Sequence, residues 1–329
     1  MAKYKGIHGT TVRNSDGNLE GAATGELFYD ATSQDFKYQF PAVISSWRTQ
    51  NNMNTAREKL AGAGLSTASL AIGGEIPSTL YDNTESWNGS TWTEVNDLST
   101  ARSHLKAGGT YTSSLVFGGR TPPNTAITES WNGSNWTEVS DLNTARQRHS
   151  GVGADNTSSI SIGGVDPAGP GLGVTETWNG SSWTEVADLN TSRYDLAASG
   201  TVTAALAFGG QTPNPVQANN ESWNGSSWTE VNDLNTAKKF HGGSVKGTST
   251  AALAFGGSDG TARIALTESW NGTSWAETTD MSTARSNLGG AGTSTAGIAF
   301  AGDTGPSPMN SISEEFIAPT TSTVTFTVS

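Results

Sequence analysis

The chain has no cysteine, which excludes disulfide staples, thiol nucleophiles and cysteine-ligated metals together. Charge is sparse as well, at 15% of the 329 residues. The 18 Lys and Arg are outnumbered by 30 Asp and Glu, giving a formal net charge of −12. No broad nucleic-acid surface is expected from that balance, because phosphate binding draws on clustered cations. No run approaches the roughly 20 apolar residues of a membrane-spanning helix. The start, Met1–Lys5, lacks the apolar core of a signal peptide. These absences predict a soluble chain that does not follow the general secretory route.

What the chain has is tryptophan in a fixed setting. Five copies of Trp-Asn-Gly-Ser/Thr-x-Trp run from Trp87 to Trp92, Trp131 to Trp136, Trp178 to Trp183, Trp223 to Trp228 and Trp270 to Trp275. The eleventh tryptophan, Trp47, keeps register, and successive second tryptophans are 45, 44, 47, 45 and 47 residues apart. A period in this range marks a repeat array whose units bury their apolar faces only by stacking on neighbours.

Each unit reads as four short antiparallel strands, a to d. In residues 142–186, the segment Leu142–Arg146 leads into a small-residue strand a. A turn at Asp155–Thr157 follows, then strand b ending in Gly163-Gly164, a Pro/Gly loop, strand c, the Asn179-Gly180 turn and strand d from Trp183. Asn-Gly between aromatic-bearing runs is a strong hairpin signal, because both residues tolerate positive φ. Strand a is rich in Gly and Ala, as in Ala61–Gly64 and Gly289–Gly292, which suits close packing at a centre. No helical periodicity survives in the array.

Lead-in segments of the form Asn/Ser-Thr-Ala/Ser-Arg/Lys end at Arg57, Arg102, Arg146, Arg193, Lys238 and Arg285, so the count is six. The strand around Ile44–Trp47 has no a, b or c before it, and the sixth unit lacks a d strand after Ser313–Phe316. Pairing these two ends removes exposed edges. The expectation is an all-β, six-bladed propeller over residues 41–317, preceded by a β-hairpin attachment segment at 1–40 and followed by a strand or tail at 318–329. Thr323–Val328 alternates apolar and polar residues, and is either an outer strand or a rival for the closing place.

The order of lead-in cation, small-residue strand, double glycine and paired aromatics resembles the kelch repeat, with Trp87-type residues where kelch repeats carry Tyr. The resemblance covers about 270 residues and implies a kelch-type propeller. The wording Thr-Ala-Ala-Leu-Ala-Phe-Gly-Gly and Trp-Asn-Gly-Ser-Ser-Trp is also similar to kelch-like arrays in tail and fibre proteins of marine bacteriophages. The Gly25–Tyr38 segment is similar to hairpin modules of such fibres.

Four-stranded connectivity places the d–a and b–c connections on one face of the propeller, and the a–b and c–d turns on the other. Residues on the first face differ in every unit, and variation on a uniform scaffold is how loops carry recognition. The candidate binding residues are Arg120, Pro122, Pro123, Asp166, Gln211 and Asn214 in the b–c loops. After the lead-in cations they are His104, Arg148, His149, Tyr194, Asp195, Lys239, Phe240 and His241. The plain alternative is that these loops are unconstrained. Residues repeated in every blade read as structural. The lead-in cations are expected to pair with the strand-c carboxylates Glu85, Glu129, Glu176, Glu221, Glu268 and Glu314. The Asn-Gly-Ser/Thr sequons are expected to be hairpin turns rather than glycan acceptors.

No catalytic, metal or cofactor site is expected. The functional expectation is a non-enzymatic virion component, a phage tail or fibre disc. It would attach to other virion proteins through residues 1–40, form a homo-oligomer in the particle, and contact a host-surface glycan or protein without entering a membrane. The alternatives are a cellular kelch-type adaptor and, more remotely, a sialidase-like glycosidase, for which no Tyr–Glu pair recurs beside the arginines.

Overall fold

Each Asn-Gly turn is closed by its own side chain. Asn88 Oδ1 accepts the N–H groups of Ser90 and Thr91, both at 2.9 Å, while Gly89 sits at φ +89°. The same pair of bonds forms at Asn132, Asn179, Asn224 and Asn271. The asparagine is thus consumed by the turn, as the sequence predicts.

The computed structural model describes residues 13–15, 27–32, 35–43, 45–77, 79–166, 169–305 and 309–326. Of the residues named above, Met1–Lys5, Gly25, Ile44 and Val328 lie outside the described ones. Six four-stranded sheets form the propeller. Blade 1 comprises Ala61–Leu65, Ala68–Ile76, Thr79–Trp87 and Trp92–Val95 in antiparallel order. Blades 2 to 5 repeat it, and the innermost strands lie side by side around a ring that closes between blades 6 and 1. Blade 6 takes Gly289–Gly292, Ala296–Phe300 and Ser313–Ile317 from the end of the array and Ser46–Gln50 from its start.

The closing strand behaves like any other d strand. Trp47 packs on Phe316 at 5.4 Å between centroids, as Trp92 packs on Trp87 at 5.3 Å, and Gln50 Nε2 donates to Glu315 across the seam at 2.9 Å. Thr320–Phe326 does not compete for this place. It pairs with Asp35–Val43 in a separate sheet with Leu27–Asp30 and Arg13–Ser15. That sheet belongs to a second compact unit, residues 1–46 and 318–329, whereas the propeller unit spans 47–317.

Three sets of bonds recur round the ring, the first within each blade and the other two between blades. The first tryptophan of each pair donates its indole N–H to the a–b turn of its own blade, as Trp87 does to Ser66 O at 2.8 Å. The second donates to a hydroxyl on strand c of the preceding blade. Trp92 reaches Ser313, Trp136 reaches Thr84, Trp183 reaches Thr128, Trp228 reaches Thr175 and Trp47 reaches Thr267, all within 3.2 Å. The third set uses the glycine pair after strand b. Gly74 N–H donates to Arg102 O at 2.9 Å, and equivalent bonds run round to Gly302 and Arg57 O at 3.0 Å. Both residues of each pair have positive φ, and a Cβ on Gly73 would lie 2.8 Å from Arg102 O, which accounts for the glycine.

One indole is left out. Asn220 occupies the hydroxyl position for Trp275, and Trp275 Nε1 and Asn220 Oδ1 are both buried without a partner. An unmade buried hydrogen bond costs about 1–3 kcal/mol. Asn220→Thr is therefore expected to stabilise the propeller by about 1 kcal/mol, after losing the Asn220 Nδ2 bond to Asn232 O. Denaturant unfolding checks this, and a variant less stable than the parent would contradict the assigned role of the hydroxyl.

Candidate functional site

The lead-in segment reaches the centre of the propeller because its cation is anchored. Arg57, Arg102, Arg146, Arg193, Lys238 and Arg285 are each fully buried and face the strand-c glutamate of their own blade. The N–O distances are 2.6, 3.0, 2.8, 3.3, 2.9 and 3.2 Å in that order. The same carboxylates cap the start of the lead-in: Glu176 accepts the N–H of Asn143 at 2.8 Å and of Thr144 at 3.2 Å. Burial pulls the Arg102, Arg146 and Arg285 pKa values down to about 10, and the neighbouring glutamates oppose it at each. These cations are structural, as their repetition predicts.

Beyond each anchor, the next three residues have separate places. The first makes an antiparallel bridge to the b–c loop: Glu58 to Glu75, Ser103 to Arg120, Gln147 to Val165, Tyr194 to Gln211, Lys239 to Ser258 and Ser286 to Asp303. These bridges put the two connections on one face. The second residue is Lys59, His104, Arg148, Asp195, Phe240 or Asn287, and every one has φ between 53° and 59°. Their backbones form a closed circle of hydrogen bonds. Each N–H donates to the carbonyl of the preceding blade's equivalent, from Lys59 to Asn287 O at 2.9 Å through Asn287 to Phe240 O at 2.9 Å. The left-handed conformation, unfavourable for most of these residue types, is offset by that circle. The third residue is Leu60, Leu105, Leu196 or Leu288 in four blades, and His149 or His241 in the other two.

The circle surrounds the mouth of a recess along the propeller axis. Residues from all six blades line the recess. Deeper in, the wall is strand a, with Ala61, Ser150, Ala197, Gly242 and Gly289 at one register and Lys106 in blade 2. Burial lowers the Lys106 pKa, and the Asp195 charge opposes that. The far end is narrowed by blade 5, whose a–b connection folds inward after Gly243. Val245 packs against two core clusters there, and Lys246 Nζ donates to Gly153 O and Ala154 O of blade 3, both at 2.7 Å.

Six of the sequence-predicted residues converge on one side of the mouth. Arg148 is doubly bonded to Asp195, with Nε to Oδ1 at 2.8 Å, and its guanidinium lies 4.5 Å over the Tyr194 ring and 5.3 Å over Phe240. Gln211 donates to Asp195 at 2.7 Å and accepts from Lys239 at 2.8 Å. Across the mouth, Lys59 bonds Glu75 at 2.6 Å and Glu58 at 2.9 Å, and Arg120 lies 3.7 Å from Glu75. His104 stands in the circle with its Nδ1 3.3 Å from Ser103 Oγ. Burial holds its pKa well below the usual value, with Lys59 and Arg148 adding to the effect. Pro122, Pro123 and Asn214 are exposed in their loops, and Asp166 is half-buried in its own.

His149 and His241 are buried in the leucine position. Their rings lie 5.7 Å from Phe117 and Phe208, and their ring nitrogens make no hydrogen bond of normal geometry, the backbones of Phe117 and Phe208 being only weak partners. Both line the recess. Burial drives both pKa values well below the ordinary histidine value, and the charges of Arg146 on His149 and Lys238 on His241 push the same way. Lys59 and Asn287 belong to the same variable positions after the lead-in cations, and sequence reasoning missed Lys106. Lys106 was detectable as the one large residue at a register held by Ala, Ser or Gly in every other copy. No protein-family model matches the chain, and no curated protein matches it.

Proposed function

We propose that this chain is a non-enzymatic recognition protein of a virus particle, a kelch-type disc that contacts a host-surface ligand with the face carrying the circle and the b–c loops. The observation that carries the reading is a division of labour among residues. The cations and glutamates repeated in every blade are buried and paired with each other, while residues that differ between blades share one face, six of them at its mouth. The likeness of the repeats and of Gly25–Tyr38 to phage fibre proteins supports the particle assignment. A sialidase-like glycosidase would need an arginine cluster free for its substrate, and the six anchoring cations are all occupied by glutamate.

The test is a glycan array, run with the parent chain and with a variant whose loops 120–124, 165–171 and 211–216 are replaced by Gly-Ser. Loss of binding at least tenfold with an unchanged melting profile is expected. Equal binding by both proteins would remove the assigned face. Absence of the protein from purified particles would transfer the same face to a cellular adaptor.

A further inference from the structure

We infer that the axial recess is a binding site for a small carboxylate, with Lys106 as its cationic anchor. The inference deepens the proposed reading by naming the ligand chemistry, and rests on that reading for the direction of approach, through the circle.

Charge accounting at the mouth singles out Lys106. Asp195, the anion that acts on it, is engaged by Arg148 through both oxygens and by Gln211. On the opposite side, Glu75 is held by Lys59 and Ser103, and Glu58 by Lys59 and Asn287. The Lys106 ammonium has neither a hydrogen bond nor an ion pair among the described residues, yet it lines both levels of the recess. An ammonium among apolar walls favours a counter-ion strongly, because low local dielectric magnifies the attraction. The walls beside it at the mouth are the leucines Leu60, Leu105, Leu196 and Leu288, with the small-residue strand-a segments below. With the far end narrowed by Val245 and Lys246, a ligand enters from the variable face.

A carboxylate fits this site better than a larger polyanion. One unpaired cation matches one negative charge, and the surrounding leucines accept a few carbon atoms. The group could belong to a free small acid or to an acidic sugar at the end of a glycan, and the probes below separate the two. Acetate, glucuronate, glucose and inorganic phosphate would be titrated into the full chain, following the backbone amides of Ala107 and Gly108 by NMR. Saturable shifts are expected for acetate and glucuronate, with Kd on the order of 1 mM for so few ligand atoms. Tighter binding of glucuronate than acetate assigns an acidic sugar, and the reverse order assigns a free acid.

Lys106→Met is expected to weaken both carboxylates at least tenfold, while Arg48→Met, which removes an exposed cation on the closing strand, leaves them unchanged. Glucose binding as well as glucuronate, phosphate binding more tightly than either carboxylate, or a Lys106→Met variant that melts like the parent and binds like it would each overturn the assignment. So would a parent that shows no saturable shift. Loss of glycan-array binding in the loop variant with acetate binding intact would leave the recess standing and place the wider recognition on the loops. Array binding by the parent without any carboxylate titration would do the opposite.

Discussion

Glu176→Leu is expected to cost the propeller about 3–5 kcal/mol, the penalty for stranding one member of a buried ion pair. Arg146 would keep its bond to Val174 O at 2.7 Å but lose the carboxylate at 2.8 Å, in a site with no solvent access. The glutamate also accepts the N–H groups of Asn143 and Thr144 and the Asn143 side chain at 2.8 Å. For a unit of this size the loss corresponds to a Tm lower by roughly 10 °C. The double variant Arg146→Met, Glu176→Leu separates the two roles. Removing both charges relieves the stranded cation, but the backbone donors of the lead-in remain without an acceptor, so only part of the stability returns. Denaturant melts of the three proteins decide the matter. A single variant within about 1 kcal/mol of the parent would mean that water reaches Arg146.

The opposite sign is expected for His149→Leu combined with His241→Leu. Leucine already occupies this position in the other four blades, and each buried imidazole leaves polar atoms unpaired. The exchange is expected to add about 2–4 kcal/mol at pH 7.5, from the usual penalty for such groups. The effect grows in acid. Because the folded pKa values are depressed, both rings stay neutral in the fold while the unfolded chain takes up protons below its ordinary value near 6.5. Stability of the parent therefore falls as pH drops below that point, by up to about 1.4 kcal/mol per pH unit for each ring, until the folded rings titrate. The double variant keeps only the part of this limb that His104 contributes, since its pKa is depressed as well. Asp195, raised by burial, pulls the other way but is present in both proteins and cancels in the comparison. Urea melts at pH 7.5, 6 and 5 check the prediction. Parallel curves for the two proteins would show that the imidazoles find partners in solution.

Most of the architecture was legible because it recurs. The Asn-Gly turns, the glycine pairs and the arginine–glutamate pairing each appear in register copy after copy, so spacing alone identifies them as scaffold. Trp47 was legible as the closing residue for the same reason, and its bond to Thr267 repeats that of Trp92 to Ser313. Thr320–Phe326 was ambiguous, since alternation marks a strand but not its partner, and Asp35–Val43 claims it. The site was harder. His104, His149 and His241 look alike in sequence, yet one stands in the circle and two replace leucines, a difference of a single position after the cation. Lys106 acts through what is missing around it, and that depends on which side chains ring closure brings near. Lys246 bonds residues of blade 3 more than 90 positions away, a contact set by insertions in two blades.

The circle at the mouth asks nothing of the side chains it displays. Its bonds are made by amide and carbonyl groups alone, and six chemically unrelated residues adopt the same dihedral there: a lysine, a histidine, an arginine, an aspartate, a phenylalanine and an asparagine. Specificity at this rim is therefore uncoupled from folding. Descendants of the chain could rewrite these letters in turn with the hydrogen-bonded wheel beneath unaltered.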